Sequence, residues 1–352
     1  MKIDIIGGGI IGMSAAYFLS KQGARVRVFE KDKSYSTASF ARSCGGLRAQ
    51  FFTPQNILMS RYSVDFIKNH TNVKFTPNGY LMLFGKHQQE DCDYSSLLQF
   101  SLGATTKILL PNELEIKYPW MFVDDIYKAC YTDDGSEGWV DPIELHTWFK
   151  TEAEKLGAKF TYNDGLKEIR SADAIIIASG CWSGEVGRYF GLTIPVQGHK
   201  HTVYNITTQY SHIPSLPLIA DLINGVYLRP EGNGYIVGYE GNGEWGAVDL
   251  DPNMDPWTDV WERLYSRGPE VFEGIKVRSA WAGYYDASLI DSNAIIDNVN
   301  NVYFATGFTG RGLMHSPAVG LTLMEMIYNL KTTFDLTNFK LVRRPQEEKY
   351  VI

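Results

Sequence analysis

The chain has 352 residues, 44% of them hydrophobic and 21% charged, a composition that excludes a disordered or fibrous protein and leaves room for two intimately joined domains. Its formal net charge of -7 offers no basic footprint for nucleic acid or an anionic membrane surface. Cys44, Cys92, Cys130 and Cys181 are widely spaced and form no CxxC pair, which argues against a zinc ribbon or a disulfide framework.

The first predicted unit is a strand from Ile3 to Ile6, followed by Gly7, Gly9 and Gly12 in GxGxxG spacing and a helix that turns Met13, Ala16, Tyr17 and Leu19 inward. Gly7 permits a tight turn. Gly9 lets the amides around Ile10 and Ile11 approach a pyrophosphate at the helix N-terminus, and Gly12 lets that helix lie close to the strand. A second strand, RVRVFE, ends on Glu30, followed by Lys31. A carboxylate at that distance accepts hydrogen bonds from the ribose hydroxyls of an adenine dinucleotide and disfavours a 2′-phosphate. The fingerprint alone admits FAD or NAD.

In the middle of the chain, GYLMLFG, HKHTVYNI, GVYLRP and GYIVGYEG are rich in Tyr, Val and Ile and are punctuated by Gly and Pro, which predicts a mixed or antiparallel sheet. The flanking regions read as α/β. The expected fold class is therefore α/β: a Rossmann-like domain built from residues 1–70, 138–192 and 290–352, interleaved with a substrate-binding sheet domain built from 71–137 and 193–289. The short connection NDGLKEIRSAD predicts a trimmed nucleotide domain.

Two further segments bear on the cofactor. ADAIIIASGCWSGEV predicts a buried strand from Ala174 to Ala178 ending in Ser179, Gly180 and Trp182. NNVYFATGFTGRGLMHSPAVG predicts a strand from Val302 to Ala305, a turn holding Gly307, Gly310 and Gly312, and an apolar helix. A flavin ring requires backbone amides and a helix N-terminus against the atoms where negative charge develops on reduction, and Gly310, Gly312, Leu313 and Met314 can supply them. The three segments together favour FAD over NAD. The absence of a second GxGxxG unit argues against a two-nucleotide monooxygenase.

These motifs, together with ARSCGGLRAQF, GWVDPIELHTWF and SAWAGYYDASLIDSNAIID, resemble in their order the D-amino-acid oxidase superfamily of FAD-dependent oxidoreductases over nearly the whole chain. The branch resembled most holds sarcosine oxidase, dimethylglycine dehydrogenase, glycine oxidase and the catalytic subunit of dye-linked proline dehydrogenase. The resemblance implies oxidation of the C–N bond of an amino acid or of a secondary or N-methyl amine, by hydride transfer to flavin N5, giving an imine that water hydrolyses. It implies that Arg42, Ser43, Gly45, Gly46 and Leu47 approach the flavin, that Arg311 lies in its turn, and that Arg48 places a cation near the ring. It also implies non-covalent FAD, because the cysteine of sarcosine oxidases aligns near Tyr284, no histidine stands in the RSCGG turn, and Cys44 is expected to be unattached.

An amino-acid substrate needs a cation for its carboxylate. The position at which sarcosine oxidases place a substrate arginine aligns with Phe51, so Arg229, Lys200 and Arg311 become the candidates. Met314 and His315, just beyond the flavin turn, are candidate substrate contacts, and Tyr227, Tyr239, Trp281, Tyr284 and Tyr285 are candidate cavity walls. His199 and His201 share one face of a strand but bring no third ligand, so no metal is expected.

The expected partners are a small amine or amino acid and an electron acceptor, whether oxygen, a quinone or another redox protein, with no nucleic acid. A homo-oligomer and a hetero-complex subunit are both open. No stretch approaches the roughly 18 apolar residues of a spanning helix, so a cytoplasmic protein is expected, with peripheral membrane contact left open. The alternative to an enzyme is an FAD-bound scaffold or assembly protein without amine oxidation, for which Phe51 is the argument; another flavin or NAD dehydrogenase ranks below it.

Overall fold

The computed structural model of the chain describes residues 1–162, 166, 168–169, 172–209, 213–246 and 249–350. Much of the NDGLKEIRSAD connection lies outside them. The N-terminal segment forms β1 (Lys2–Ile6), α1 (Ile10–Lys21) and β2 (Arg25–Glu30). β1 pairs in parallel with β2 on one side and with Ala174–Ile177 on the other, giving a sheet ordered Ile295–Val299, Val302–Thr306, Ala174–Ile177, β1, β2, Lys159–Tyr162. Among the described residues, only the edge strand Ile295–Val299 runs antiparallel within it.

Parallel strands are covered on both faces, and so Ile3, Ile5, Val28 and Ile176 are fully buried. The exception inside β1 is Asp4, whose carboxylate accepts from Arg27 Nε at 2.8 Å and Nη2 at 2.7 Å. α1 presses against the sheet because Gly12 carries no side chain: a Cβ there would lie 2.0 Å from the Gly7 carbonyl oxygen. On its other side α1 meets the C-terminal helix Gly312–Ile327, where Ser14 Oγ donates to the Ser316 carbonyl at 2.7 Å. That helix tolerates Pro317 because Ser316 Oγ donates to the Leu313 carbonyl at 2.8 Å, replacing the bond a proline nitrogen cannot make.

The second sheet has nine strands among the described residues. Most pair antiparallel, but Leu218–Asp221 runs parallel to Tyr80–Gly85, so the sheet is mixed. Its longest ladder joins Val196–Thr207 to Lys276–Ser288, with Lys200 opposite Tyr284 and His201 opposite Gly283. Gly46–Leu47, Phe75–Thr76 and Gly138–Val140 form a small third sheet.

Helix α2 (Pro54–His70) is capped from far along the chain. The buried carboxylate of Glu348 accepts from Phe52 N at 2.7 Å, Thr53 N at 3.1 Å and Asn56 Nδ2 at 2.8 Å. Two residues on, the Tyr350 ring packs against Phe52 and Phe84, and its hydroxyl donates to Asp91 at 2.7 Å. The C-terminal segment thus ties α2 to the helix Gln89–Ser101 beside the second sheet. No helix among the described residues is long and apolar enough to cross a membrane.

Candidate active site

A cavity of 440 Å³ opens where the C-terminal ends of β1, β2 and Ala174–Ile177 face the second sheet. Open parallel sheets bind ligands at that edge. At one end Gly7, Gly9, Ile10 and Ile11 form the wall, with the N-terminus of α1 directed into it. Glu30 lines the same end; its Oε2 accepts from Gly8 N and its Oε1 from Asp32 N, both at 2.8 Å, so each oxygen keeps a second lone pair for a ligand hydroxyl. Lys31 lies 4.0 Å from the centre of the Trp182 ring, a cation–π contact beside that end.

In the middle of the cavity, Ser43, Gly46, Ser179 and Gly180 contribute to the wall. Arg42 holds this part together. Its Nη1 donates to the Ala282 carbonyl at 2.8 Å and its carbonyl accepts from Trp281 Nε1 at 2.9 Å, which pins the RSCGG turn to the strand Lys276–Ser288. At the far end, Gly310, Gly312, Leu313 and Met314 bring the N-terminus of the C-terminal helix to the cavity, opposite Arg48, Tyr80, Tyr227, Tyr285 and His201. Gly310 has φ +84°, and a Cβ there would lie 2.8 Å from the Tyr285 ring, so glycine is needed for both the turn and the seating of that ring.

A family model described as DAO, FAD dependent oxidoreductase, matches residues 2–326. The chain belongs to this family. FAD is accordingly its cofactor, and the residues fit it: two helix N-termini, a carboxylate with spare lone pairs and a glycine turn all face one elongated cavity. Among relatives, FAD-dependent oxidoreductase domain-containing protein 1 of Bos taurus is 32% identical over 92% of this chain and 80% of its own length. Mitochondrial dimethylglycine dehydrogenase of Rattus norvegicus is 27% identical over 94% of this chain and 43% of its own length. L-proline dehydrogenase from P. horikoshii superposes with a TM-score of 0.87 at 26% identity, covering 97% of this chain and 96% of that one. Glycine oxidase from Geobacillus kaustophilus shares the fold, with a TM-score of 0.81 at 20% identity over 98% of this chain and 99% of that one.

Several residues expected at the flavin shape its turns without reaching the cavity wall. Gly12 and Gly307 set backbone approach, Gly45 turns against Val140, and Leu47 is core. On the substrate side the structure corrects three expectations. Lys200 alternates to the face opposite His201, where its ammonium meets Asp249 at 2.8 Å and Glu244 at 3.3 Å. Arg229 is spent on the Cys44 carbonyl, the Pro230 carbonyl and Glu231, and lies over Trp139. His315 Nε2 pairs with Ser60 Oγ on α2 at 3.0 Å, and burial pushes the ring's pKa down to about 3. None of the three lines the cavity, and each has internal partners that account for its place. Of the expected aromatic walls, Tyr227, Tyr284 and Tyr285 line it, while Tyr239 packs under Arg263 and Trp281 serves the Arg42 clamp.

Arg48, expected as the cation near the flavin ring, lines the cavity wall, whereas the candidate Arg311 does not. The Arg48 guanidinium is 4% exposed; it donates to the carbonyls of Gln50 and Tyr350 and lies 4.1 Å from the Phe51 ring centre. Arg311 approaches the same ring at 5.9 Å, donates to the Ser292 carbonyl, and leaves Nη1 without a partner among the described residues; burial pushes its pKa down to about 10. Phe51 therefore lies between two buried guanidiniums. An arginine at that position would add a third cation to one desolvated cluster, which gives the departure from the sarcosine oxidase pattern a physical reason.

Three site residues were not expected from sequence. His146, on the helix Pro142–Lys155, bonds the Gly8 carbonyl at 2.8 Å through Nε2 and stacks on Phe40 at 4.1 Å, steadying the dinucleotide turn. Burial pushes its pKa down to about 4, so it serves as a neutral donor. Tyr80 lies in GYLMLFG, read only as a strand. Asp286 lines the cavity, accepts backbone hydrogen bonds from Gly307 and Phe308, and has its carboxyl pushed up to about 6 by burial.

The raised Asp286 value has a defined consequence for the FAD-free protein. Ionisation is harder in the folded chain than in the unfolded one, so the destabilisation is absent below about pH 4 and grows as pH rises to about 6. Melting curves of FAD-free Asp286→Asn and wild type are expected to diverge with rising pH across that window, the variant melting higher. A constant difference between pH 4 and 7 would contradict the assignment.

Proposed function

We propose that this flavoprotein oxidises the C–N bond of a carboxylate-bearing amine, an amino acid or an N-alkylated glycine. The observation that carries the reading is the substrate end of the cavity. There a buried arginine faces three tyrosines, Tyr80, Tyr227 and Tyr285, whose hydroxyls have no hydrogen-bond partner among the described residues. Burial raises the pKa of all three, so they are neutral donors at physiological pH. Arg48 suits a carboxylate and the hydroxyls suit its remaining lone pairs. The aromatic walls keep water from the nitrogen and hold the carbon beside it in one orientation.

When bound, the flavin supplies a two-electron acceptor for the hydrogen on that carbon. The related L-proline dehydrogenase, dimethylglycine dehydrogenase and sarcosine dehydrogenase carry amine substrates in their names, which supports the reading. We assign FAD binding to the discontinuous unit of residues 1–70, 138–192 and 290–352. FAD is proposed to be non-covalent: Cys44 is the one thiol among the residues lining the cavity, and denaturation should release free FAD from the chain.

The test is the visible spectrum of the purified protein under anaerobic addition of L-proline, sarcosine, dimethylglycine, glycine and D-amino acids. One of these amines is expected to bleach the flavin band. Readmitted air then separates an oxidase from a dehydrogenase that passes electrons to a quinone or a redox protein. A flavin band that no amine changes would favour the scaffold instead.

A further inference from the structure

The segment Arg343–Tyr350 has neither helix nor strand, yet it is tied down along its length. Arg343 clasps the buried carboxylate of Asp291 through Nε at 2.9 Å and Nη2 at 2.5 Å, and Gln346 N donates to the same carboxylate at 3.0 Å. Glu348 caps α2. Lys349 Nζ and the Tyr350 hydroxyl both donate to Asp91 at 2.7 Å. At the end of this strap the Tyr350 carbonyl accepts from Arg48 Nη2 at 3.1 Å, across 302 positions of sequence. Tyr350 holds a left-handed backbone with φ +53°, a conformation that a bulky residue keeps only where its surroundings over-determine it. Those surroundings are the Phe52 ring at 5.4 Å, the Phe84 ring at 5.8 Å and the Asp91 carboxylate.

Burial works against ionisation of Asp91, but the bonds from Lys349 and Tyr350 outweigh it and hold the carboxyl below its usual range, so Asp91 is charged at neutral pH. At the other end, Arg48 has five N–H donors to place. Nη1 spends its two on the Gln50 carbonyl and, at 3.7 Å, the Met82 sulfur; Nη2 gives one to Tyr350. These partners are uncharged. They orient the guanidinium and leave Nε–H and one Nη2–H for a carboxylate. Gln50 lies two positions on in the same stretch of chain, whereas Tyr350 reaches Arg48 from another part of the fold.

We propose that Asp91 and Tyr350 are positioning residues for the substrate carboxylate: Asp91 fixes the Tyr350 side chain, and the Tyr350 carbonyl holds the Arg48 guanidinium in the orientation that a carboxylate meets. The proposal rests on the reading of Arg48 as the carboxylate anchor and extends it to a helix outside the cavity. Neither Asp91 nor Tyr350 lines the cavity, so both act through Arg48. With the strap loosened, the guanidinium regains rotamer freedom that each bound carboxylate must remove again. A carboxylate away from the reacting carbon is held alike before and during hydride departure. The cost therefore falls on substrate affinity and leaves the limiting rate of flavin reduction in place.

The test uses the FAD-loaded full chain and two probes, either of which suffices. One is anaerobic flavin reduction by L-proline, or by sarcosine if L-proline does not bleach the wild type. The other is pyrrole-2-carboxylate, a flat analogue of proline with no hydride to give, whose binding is read from the shift of the flavin band. Asp91→Ala and Tyr350→Ala are each expected to weaken both probes roughly 10-fold, the worth of one hydrogen bond to a charged group, with FAD retained and the rate at saturating amine unchanged. In an Arg48→Met background, Tyr350→Ala should weaken neither probe further, because the residue it acts through is gone. Tyr350→Phe keeps the ring packing and loses the bond to Asp91; it should match Asp91→Ala, and it decides the matter if Tyr350→Ala fails to hold FAD. Wild-type affinity in Asp91→Ala overturns the proposal. A loss that persists undiminished in the Arg48→Met background also overturns it, in favour of a general structural role. If pyrrole-2-carboxylate follows the expected pattern while no amine bleaches the wild type, amine oxidation falls and the positioning stands. A wild type that responds to neither probe overturns both.

Discussion

Gly12→Ala is expected to give a colourless protein. The added methyl would lie 2.0 Å from the Gly7 carbonyl oxygen and 3.4 Å from Ile5 Cγ2, so α1 must move off β1. Overpacking of side chains costs about 1–3 kcal/mol, and a collision with backbone, which has no rotamer to escape into, belongs at or above the top of that range. The displacement falls on the turn that receives the pyrophosphate, so the loss should appear in FAD affinity before it appears in folding. Flavin content after gel filtration and titration of the FAD-free protein measure it. Gly9→Ala is the informative partner, because nothing lies within 4 Å of its added carbon and its effect should come only from the cofactor. Full flavin occupancy in Gly12→Ala would show that the turn tolerates a spread helix.

Arg48→Met should retain FAD and lose its grip on carboxylate-bearing substrates. Removing one partner of a desolvated charge pair costs about 2–5 kcal/mol, or roughly 30- to 5,000-fold in the efficiency of flavin reduction. The decisive comparison is L-proline against pyrrolidine, which differ by the carboxylate. The wild type should favour proline strongly, while Arg48→Met should treat the two nearly alike. If the variant slows both equally, Arg48 acts on the electronics of the ring and the carboxylate is anchored elsewhere. Arg311, with its unpartnered Nη1, is then the next residue to test.

The parts of the site legible in sequence are those whose signal is local. Gly7, Gly9, Gly12 and Glu30 lie within one strand, helix and strand, and their spacing follows from the distance between a turn and the end of the neighbouring strand. The mixed sheet was legible for the same reason, through runs of β-branched and aromatic residues. Lys200, Arg229 and His315 misled because a basic residue type says nothing of its partner: Arg229 is occupied by Cys44, 185 positions away, and His315 by Ser60, 255 positions away. His146 was hidden differently. It stands in a helix whose pattern explains it as ordinary burial, and only the proximity of the Gly8 carbonyl reveals its task. His199 and His201 were seen as a pair and tested for metal. The bond between them is a tertiary fact.

The order in which the chain emerges during synthesis bears on how this protein acquires its cofactor. The fingerprint precedes, by almost 300 residues, the strand Val302–Thr306 that extends its sheet and the helix Gly312–Ile327 that packs on α1. Later still comes Glu348, whose carboxylate satisfies the amides of Phe52 and Thr53 at the start of α2. A nascent chain can thus display the dinucleotide turn long before the flavin has a bed. Stable capture of FAD should await synthesis of these later segments, and limiting flavin in the cell should leave the polypeptide exposed to proteolysis at the late-joining segment around Glu348.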